Sequence, residues 1–355
     1  MDALTTSSGI ATLPEPQGKT PPSAMQDATP VKVDGGAVAF DFSHAPEAAS
    51  YRPDEAGFAA VTRRDAGSTQ TETETPHSYT RALVISCPHA GRLYPAEFVA
   101  TSALDLAALR DLEDYAVDWL IEGMMAHNIT AITNHVGRAF LDVNRPADAL
   151  DKIMFADTAD TLNAATPSRQ VKAGYGLLPR LNAARMPIHN SALSIDDARR
   201  RLALVHEPYH RMLAETLEMA LAHHGHYLLL DIHSMPQTDQ LGRPLADFVL
   251  GDCLGTSIAP ALGAQISNFI ADYGFSVDWN KPYAGGHITR EYGQANSPRQ
   301  SVQIEINRAL YMKTTPMPGS PAHKHMTLKP DGAARVAHML GALGAMLADM
   351  LDNNS

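Results

Sequence analysis

The sequence has few cysteines, a shortage of positive charge and no long hydrophobic run, and each shortage excludes a class of protein. Two cysteines among 355 residues are too few for a disulfide scaffold or a cysteine-based zinc site. A net charge of −11 argues against non-specific binding to nucleic acid or to an anionic membrane. No apolar run reaches the ~18 residues of a membrane span, and the first residues lack the basic and apolar regions of a secretory signal. We therefore expect a cytoplasmic protein, monomeric or homodimeric, whose partner is a small molecule.

The residues that are present favour a globular protein with metal chemistry. Hydrophobic residues make up 45% and charged residues 19% of the chain, as in ordinary globular domains. The chain also contains 16 histidines, and a neutral imidazole is a common metal ligand. The negative net charge does not exclude a small anionic substrate that is held by a few arginines.

Residues 1–78 differ in composition from the rest. Prolines crowd the beginning, and residues 68–75 form a polar run of Ser, Thr, Gln and Glu. We expect a disordered or loosely packed N-terminal extension, with one possible strand at 33–42. Residues 79–355 are predicted to form a single catalytic domain.

From residue 79 onwards, predicted strands and helices alternate. Short apolar, β-rich runs predict strands at 82–86, 129–133, 138–143, 227–232, 248–250 and 302–306. Helical spacing of apolar residues predicts helices at 105–127, at 194–221 with Ser194 as the capping residue, and at 336–351 as a core-packing helix. This pattern predicts an α/β domain with a parallel or mixed sheet, in which ligands bind beyond the carboxyl ends of the strands.

Two histidines follow directly on predicted buried strands. His89 comes after the strand at 82–86, and His233 lies at the end of the strand at 227–232. A lone histidine is most often structural, but two at strand ends favour a metal site. Hydrolytic zinc sites commonly add a carboxylate ligand. We favour Asp114 because it lies nearer the apolar stripe of the helix predicted at 105–127, with Glu113 as its substitute.

The strand at 302–306 carries the candidate general base. Val302, Ile304 and Ile306 alternate with polar residues, so that Glu305 lies on the other face. Partial desolvation should raise the pKa of this carboxyl, which suits a base that acts on a metal-activated water molecule. An edge strand with one wet face explains the alternation equally well.

Two further segments carry candidate groups for binding an anion. The strand predicted at 138–143 leads into Asn144 and Arg145, and an arginine can bind a carboxylate with two parallel hydrogen bonds. A structural ion pair with Asp142 is the alternative. The glycine-led loop at 285–290 contains His287 and Arg290, although paired glycines usually mark only a turn.

The segment from His206 to His210 matches the H-E-x-x-H zinc-protease pattern. That motif requires an uninterrupted helical turn, and Pro208 removes a helical hydrogen bond. We therefore expect this match to be accidental.

In their order along the chain, these motifs resemble the N-formylglutamate amidohydrolase (deformylase) family. The shared segments are S-x-P-H-x-G at 86–91, E-D at 113–114, D-x-N-R-P at 142–146, P-Y-H at 208–210, D-x-H-S at 231–234, G-G-H-I-T at 285–289, and Q-x-E at 303–305 with L-Y at 310–311. The resemblance runs from about residue 79 to the mid-320s and does not require His206. The family is distantly similar to zinc carboxypeptidases and aspartoacylases. It therefore implies a phosphorylase/hydrolase-like, three-layer α/β/α fold with a central mixed sheet and one zinc ion at the strand ends.

The resemblance also implies roles for individual residues. His89 and His233 match the histidine ligands, Glu305 matches the catalytic glutamate, and Asn144–Arg145 matches the pair that grips a substrate carboxylate. Carboxypeptidases place their carboxylate ligand three residues after the first histidine. That position is Arg92 here, so the third ligand must come from elsewhere, and the deformylase-like candidate is Asp114.

The implied activity is zinc-dependent hydrolysis of N-formyl-L-glutamate to formate and glutamate, as part of histidine degradation. Glu305 and Arg145 are the expected catalytic residues. The expected substrate-binding residues are Asn144, Arg145, Arg138, His287, Thr289 and Arg290. Two alternatives stay open: the same chemistry on another N-acyl amino acid, formylated metabolite or C-terminal peptide bond, and a non-catalytic protein that binds an anionic metabolite. Iron or cobalt can share these ligands with zinc.

Overall fold

The structure, a computed structural model, describes residues 30–32, 38–40, 49–51, 60–65, 68–70, 81–156, 166–317 and 320–353. Its strands are β1 Pro30–Lys32, β2 Val38–Phe40, β3 Ala49–Tyr51, β4 Val61–Asp65, β5 Ser68–Gln70, β6 Leu83–Cys87, β7 Leu93–Pro95, β8 Thr130–Asn134, β9 Tyr227–Met235, β10 Phe248–Gly251, β11 Val277–Trp279, β12 Arg299–Asn307, β13 Met312–Met317 and β14 Ser320–Leu328. Its α-helices are α1 Ala96–Thr101, α2 Leu106–Leu109, α3 Val117–Leu120, α4 Glu122–Met125, α5 Arg169–Lys172, α6 Ile195–Arg201, α7 Glu207–His224, α8 Pro260–Asp272, α9 His287–Tyr292 and α10 Pro330–Asp352.

A mixed sheet of eight strands forms the centre of the described part, in the order β11–β10–β12–β9–β6–β8–β4–β5. The four central strands β12, β9, β6 and β8 are parallel, so that their carboxyl ends lie at one edge. Strands β10 and β4 run antiparallel to their inner neighbours. All nine residues of β9 are buried, as expected for a strand that is covered on both faces.

Two apolar clusters cover the two faces of this sheet. Leu83 and Ile85 of β6 join the cluster that contains α10, α3, α4 and α8, whereas Val84 joins the cluster that contains α7. Successive side chains of a strand point to opposite faces, so the sheet lies between two helical layers. The predicted three-layer α/β/α fold is confirmed.

Helix α10 carries much of one layer. Val336, Leu340, Leu343 and Leu347 are buried against the sheet and its neighbouring helices. Among the described residues it is the helix that is long and apolar enough to cross a membrane, and 56% of its most apolar window is buried inside the protein. The prediction of a core-packing helix at 336–351 is confirmed.

Five of the six predicted strands are present with small changes in their ends. The strand predicted at 138–143 is wrong, because this segment forms turns. Asp142 accepts a hydrogen bond from the backbone N–H of Asn144 (2.9 Å), and such local bonds satisfy the backbone without a strand partner.

The single helix predicted at 105–127 is also wrong. Short helical segments replace it, and the chain is broken between Glu113, which is extended, and Ala116, which is left-handed with φ 58°. At the break, the backbone N–H of Asp114 donates to the carbonyl of His89 (2.9 Å). Periodicity within the segment cannot reveal a break at which the backbone bonds to a residue outside it.

The helix predicted at 194–221 is confirmed and extends to His224. The Ser194 hydroxyl caps it by accepting from the N–H of Asp197 (3.1 Å). Between α6 and α7, the segment Leu202–His206 is wound as a π-helix.

The N-terminal region contributes to the central sheet. Strand β4 pairs antiparallel with β8, and Ala60 and Val61 are buried in the core. Strand β4 of the sheet thus lies on the N-terminal side of the predicted boundary at residues 78 and 79, and residues 60–63 are buried. Strand β2 covers part of the strand predicted at 33–42. Apart from β1, β2 and β3, residues 1–59 lie outside the described residues, as do residues 71–80, and the single domain at 79–355 stays a prediction.

Candidate metal centre

Three side chains from distant segments meet at the carboxyl ends of the central strands. His89 follows β6, His233 lies near the end of β9, and Asp114 lies at the break between helical segments. Their ligand atoms all lie within 4.8 Å of one another, and all three residues are buried. Asp114 Oδ2 is 2.9 Å from His233 Nδ1 and 3.5 Å from His89 Nδ1. One carboxylate oxygen thus faces both imidazole Nδ1 atoms.

This arrangement fits a divalent metal ion. His89 Nδ1 is buried and has no hydrogen-bond partner within the described part of the chain. An unpaired buried polar atom costs free energy unless a ligand satisfies it. Two imidazoles and one carboxylate are the usual protein ligands of a hydrolytic zinc site that keeps one position open.

The remaining ring nitrogens contact carboxylates. His89 Nε2 lies 2.6 Å from Asp142 Oδ1, and His233 Nε2 lies 3.2 Å from Asp231 Oδ2. Because ionised carboxylates only accept hydrogen bonds, His89 Nε2 carries the proton that faces Asp142, and His89 Nδ1 keeps its lone pair for a metal. Such carboxylates orient metal-binding histidines. Sequence reasoning considered Asp142 only as an ion-pair partner and missed Asp231, although both stand within the quoted motifs.

Electrostatics at the cluster favours a positive charge between these groups. Burial alone would raise the pKa of Asp114, but the adjacent His233 and His89 imidazoles hold it well below its usual range. Burial would lower the pKa of His233, but the charge of Asp231 and the bond to Asp114 raise it well above its usual value. A divalent cation at this position would supply that positive charge.

Arg308 fixes the second oxygen of Asp114. Its Nη2 donates to Asp114 Oδ1 (3.1 Å) and to the carbonyl of Glu113 (2.6 Å), and Ser234 Oγ donates to the same carboxylate oxygen (3.2 Å). Oδ2 is thereby left facing the histidines. The sequence analysis did not identify Arg308. Its position just after the predicted strand of Glu305 could have marked it as a residue of the site.

Glu113, the substitute ligand, lies elsewhere. Its carboxylate accepts from Arg110 Nε (3.0 Å) and from Tyr94 OH (3.0 Å). The chain break turns Asp114, and not Glu113, towards the two histidines. The structure therefore brings His89, Asp114 and His233 together and keeps Glu113 outside the cluster.

Glu305 lies one strand away from His233. The two residues are direct partners in the β12–β9 ladder, and Gln303 Nε2 donates to Glu305 Oε1 (2.7 Å). Burial and the charge of Asp114 raise the pKa of Glu305 to about 7, although His233 and the bond from Gln303 oppose the shift. Strand β12 lies between β10 and β9, so the alternative of an edge strand with a wet face is wrong.

Asn144 connects the cluster to the glycine-led loop. Its Nδ2 lies 3.0 Å from His233 Nε2, and its Oδ1 accepts from the backbone N–H of Ile288 (2.8 Å). A Cβ on Gly286 would lie 2.5 Å from the Asn144 amide, so the close approach at this position requires glycine. The backbone N–H of Gly286 also donates to Gln303 (2.7 Å).

The candidate arginines differ in their partners. Arg138 donates to Asp142 Oδ2 through Nε (2.9 Å), so its guanidinium supports the carboxylate that holds His89. Arg145 donates to the carbonyls of Asn144 (2.7 Å) and Tyr175 (2.9 Å), and its Nη2 lies 3.7 Å from Asp142. The exposed side chain of Arg290 makes no hydrogen bond or ion pair with the residues that the structure describes.

Thr289 and His287 lie on α9. Thr289 is fully buried, and its hydroxyl donates to Asp231 (3.3 Å), so it supports the carboxylate beside His233. His287 is half-buried, and its ring centre is 5.4 Å from that of His210.

Comparison with known proteins decides the family. Residues 81–312 match the family model described as N-formylglutamate amidohydrolase. The chain belongs to this family. The resemblance predicted from the motifs is thereby confirmed.

Similar proteins include two N-formylglutamate deformylases and an N-formylglutamate amidohydrolase of known structure. An N-formylglutamate deformylase from Pseudomonas aeruginosa is 34% identical over 237 residues, which span 65% of this chain and 82% of the relative. An N-formylglutamate deformylase from Pseudomonas putida is 29% identical over 66% of this chain and 82% of the relative. The crystal structure of an N-formylglutamate amidohydrolase from Ralstonia eutropha is 29% identical, covers 84% of this chain and all of that one, and superposes with a TM-score of 0.70.

The H-E-x-x-H match does not build a second metal site in this family member. His206 and His210 share a helix face with ring centres 4.3 Å apart, but their Nε2 atoms contact the carbonyls of Arg145 (2.9 Å) and Val143 (2.8 Å). The sequence predicted that Pro208 would interrupt the helical turn. This prediction is wrong, because α7 runs through Pro208. Within the described residues, the group of His89, Asp114 and His233 is the one with metal-ligand spacing.

Proposed function

We propose that this protein is a zinc-dependent amidohydrolase that converts N-formyl-L-glutamate to formate and L-glutamate. The observation that carries the proposal is the buried group of His89, Asp114 and His233 with Glu305 on the neighbouring strand. Membership of the N-formylglutamate amidohydrolase family supports the choice of substrate. A cytoplasmic location and a role in histidine degradation belong to the same proposal.

His89 Nδ1, His233 Nδ1 and Asp114 Oδ2 would hold one zinc ion per chain. A zinc ion in such a site polarises a carbonyl and lowers the pKa of bound water towards ~7. Asp142 would keep the His89 imidazole in the tautomer whose Nδ1 can bind a metal, and Asp231 would orient the His233 ring through its contact with Nε2. Arg308 and Ser234 keep Asp114 Oδ2 turned towards them.

Glu305 would move the proton in both halves of the reaction. It accepts a proton from the water molecule that attacks the formyl carbon, and a new C–O bond forms. It then gives that proton to the amide nitrogen as the C–N bond breaks, and formate and the free amine result. A carboxyl whose pKa is near neutrality can both accept and donate a proton efficiently.

Arg145 and Asn144 would hold one carboxylate of the substrate, as the sequence predicted. The second carboxylate needs another cation. Because Arg138 is already paired with Asp142, we assign the second carboxylate to Arg290, with His287 beside it on α9. Arg138 and Thr289 then act through Asp142 and Asp231 rather than on the substrate.

Formate release tests the proposal. Wild-type protein with zinc should release formate from N-formyl-L-glutamate faster than acyl products from N-acetylglutamate or N-formylated neutral amino acids. The Glu305→Gln variant should keep its zinc and lose turnover by about 100-fold or more, since general-base catalysis contributes ~10²–10⁴ in rate. Near-normal kcat in that variant would refute the role of Glu305. Stoichiometric zinc without formate release would refute the substrate.

A further inference from the structure

The segment that carries Asn144 and Arg145 is held at both ends by one helical turn. His206 Nε2 lies 2.9 Å from the carbonyl of Arg145, and His210 Nε2 lies 2.8 Å from the carbonyl of Val143. A carbonyl only accepts, so each Nε2 carries a proton and donates. The two carbonyls flank Asn144 on either side. We call His206 and His210 the carbonyl clamp.

The clamped segment has no strand partner of its own. Residues 141–148 form turns and irregular structure, so sheet hydrogen bonds do not fix their carbonyls. The Asn144 N–H is bound to Asp142 and its own carbonyl to Arg145. Together with the two clamp hydrogen bonds, these bonds fix the backbone before and after Asn144. The side-chain amide of Asn144 then contacts both His233 and Ile288.

The same turn also supports the metal centre. Tyr209, between the two histidines, is fully buried, and its hydroxyl lies 2.8 Å from Ser86 Oγ. Ser86 donates to Asp231 Oδ1 (2.8 Å), the carboxylate that orients His233. One turn of helix therefore sets both the substrate segment and a carboxylate of the metal centre.

The wider helical winding before α7 leads directly into this turn. The π-helical segment ends at His206, and Pro208, which has no N–H to donate, follows at the start of α7. Isolated π-helical turns cost stability and are often found at functional sites. His210 also accepts from Tyr292 OH at Nδ1 (3.0 Å), which leaves its Nε2 proton for the carbonyl of Val143.

We propose that His206 and His210 are positioning residues that set substrate affinity by holding Asn144 and Arg145 in their binding geometry. The inference rests on the proposed function for the identity of the substrate. It assigns the H-E-x-x-H sequence a role that involves no metal. Glu207, which would be the catalytic base of a zinc protease, is exposed and takes no part.

Substitutions that remove or keep the donor test the clamp. His206→Leu and His210→Leu remove a donor to a backbone carbonyl, whereas His206→Gln and His210→Gln keep an N–H at similar reach. With N-formyl-L-glutamate, each Leu variant should raise KM about tenfold, the effect of one lost hydrogen bond to a buried acceptor. In the Leu variants, kcat should stay within about threefold of wild type, and the zinc content should stay at one per chain. The Gln variants should recover most of the substrate affinity. Glu207→Gln is the matched control and should behave as wild type.

Unchanged KM in both Leu variants would overturn the inference, as would Gln variants that are as impaired as the Leu variants. Loss of kcat and zinc without a change in KM would also overturn it, because the residues would then act only on the metal centre. Hydrogen exchange gives a readout that is independent of turnover. Amides in a peptide covering 140–147 should exchange faster in the Leu variants and at the wild-type rate in the Gln variants. Wild-type protein that releases no formate would refute the proposed function, and the exchange comparison would still decide the clamp.

Discussion

Removing the charge of Asp142 should weaken zinc binding while the ligands themselves stay intact. Asp142 Oδ1 lies 2.6 Å from His89 Nε2, and its other oxygen accepts from Arg138 (2.9 Å). Asp142→Asn keeps the shape but replaces a charged acceptor by an amide, so the proton on Nε2 loses its strongest partner. The substitution would also remove the negative charge that balances the nearby Arg138 and Arg145.

The size of the effect follows from the hydrogen bond that is lost. A charge-assisted hydrogen bond contributes about 1.5–3 kcal/mol, and mutation of such a ligand-orienting carboxylate typically costs ~10–100-fold in metal affinity. These figures agree, since a tenfold change in affinity is about 1.4 kcal/mol. We therefore expect the Kd for zinc to rise ~10–100-fold.

Competition with a chromophoric chelator measures this affinity. Asp118→Asn is the matched control, because Asp118 is also a buried carboxylate paired with an arginine, Arg92 (2.7 Å), but belongs to no metal-ligand group. The control should retain wild-type zinc affinity even if its thermal stability falls. Equal zinc affinity for Asp142→Asn and wild type would refute the argument that Asp142 prepares His89 for the metal.

Three other outcomes follow from particular contacts. Gly286→Ala should impair turnover strongly, since its Cβ would lie 2.5 Å from the Asn144 amide; normal kcat/KM would contradict this packing. Arg290→Ala should raise KM for N-formyl-L-glutamate about tenfold with little change in kcat, as expected for one lost charged contact, and an unchanged KM would exclude it as the second carboxylate anchor. Burial lowers the pKa of His135 to about 4 from its ordinary 6.5, so the unfolded chain binds the extra proton as pH falls below ~6.5. The free energy of unfolding should thus decrease by about 2 kcal/mol between pH 7 and pH 5 from this residue, and denaturant titrations of His135→Gln should show a shallower pH dependence than wild type.

Local sequence patterns predicted the site residues that lie on strands or directly after them. His89 and His233 were found because each follows a buried run, and Glu305 because a strict alternation puts it opposite three apolar residues. Strand order and direction then bring these positions to one edge of the sheet. Sequence periodicity is informative here because parallel strands end at a common edge.

Tertiary contacts decided what the sequence could not show. The sequence favoured Asp114 over Glu113 because of its place on a predicted helix, but that helix is broken. Asp114 faces the histidines at a chain break whose backbone N–H bonds to the carbonyl of His89, and no periodicity encodes this break. The orienting roles of Asp142 and Asp231 depend on which histidine lies beside each of them. Arg138 fits a substrate anchor by residue type alone, but its distance to Asp142 assigns it to the support of His89.

Metal content is the measurement that tests the central claim most directly. Mass spectrometry of purified protein should find one zinc ion per chain in wild type and in Glu113→Gln, whose carboxylate lies outside the cluster. The His233→Ala and Asp114→Asn proteins should contain little zinc and release no formate. Full zinc occupancy in His233→Ala or Asp114→Asn would show that the metal, if present, is bound elsewhere, and would contradict the account of the site.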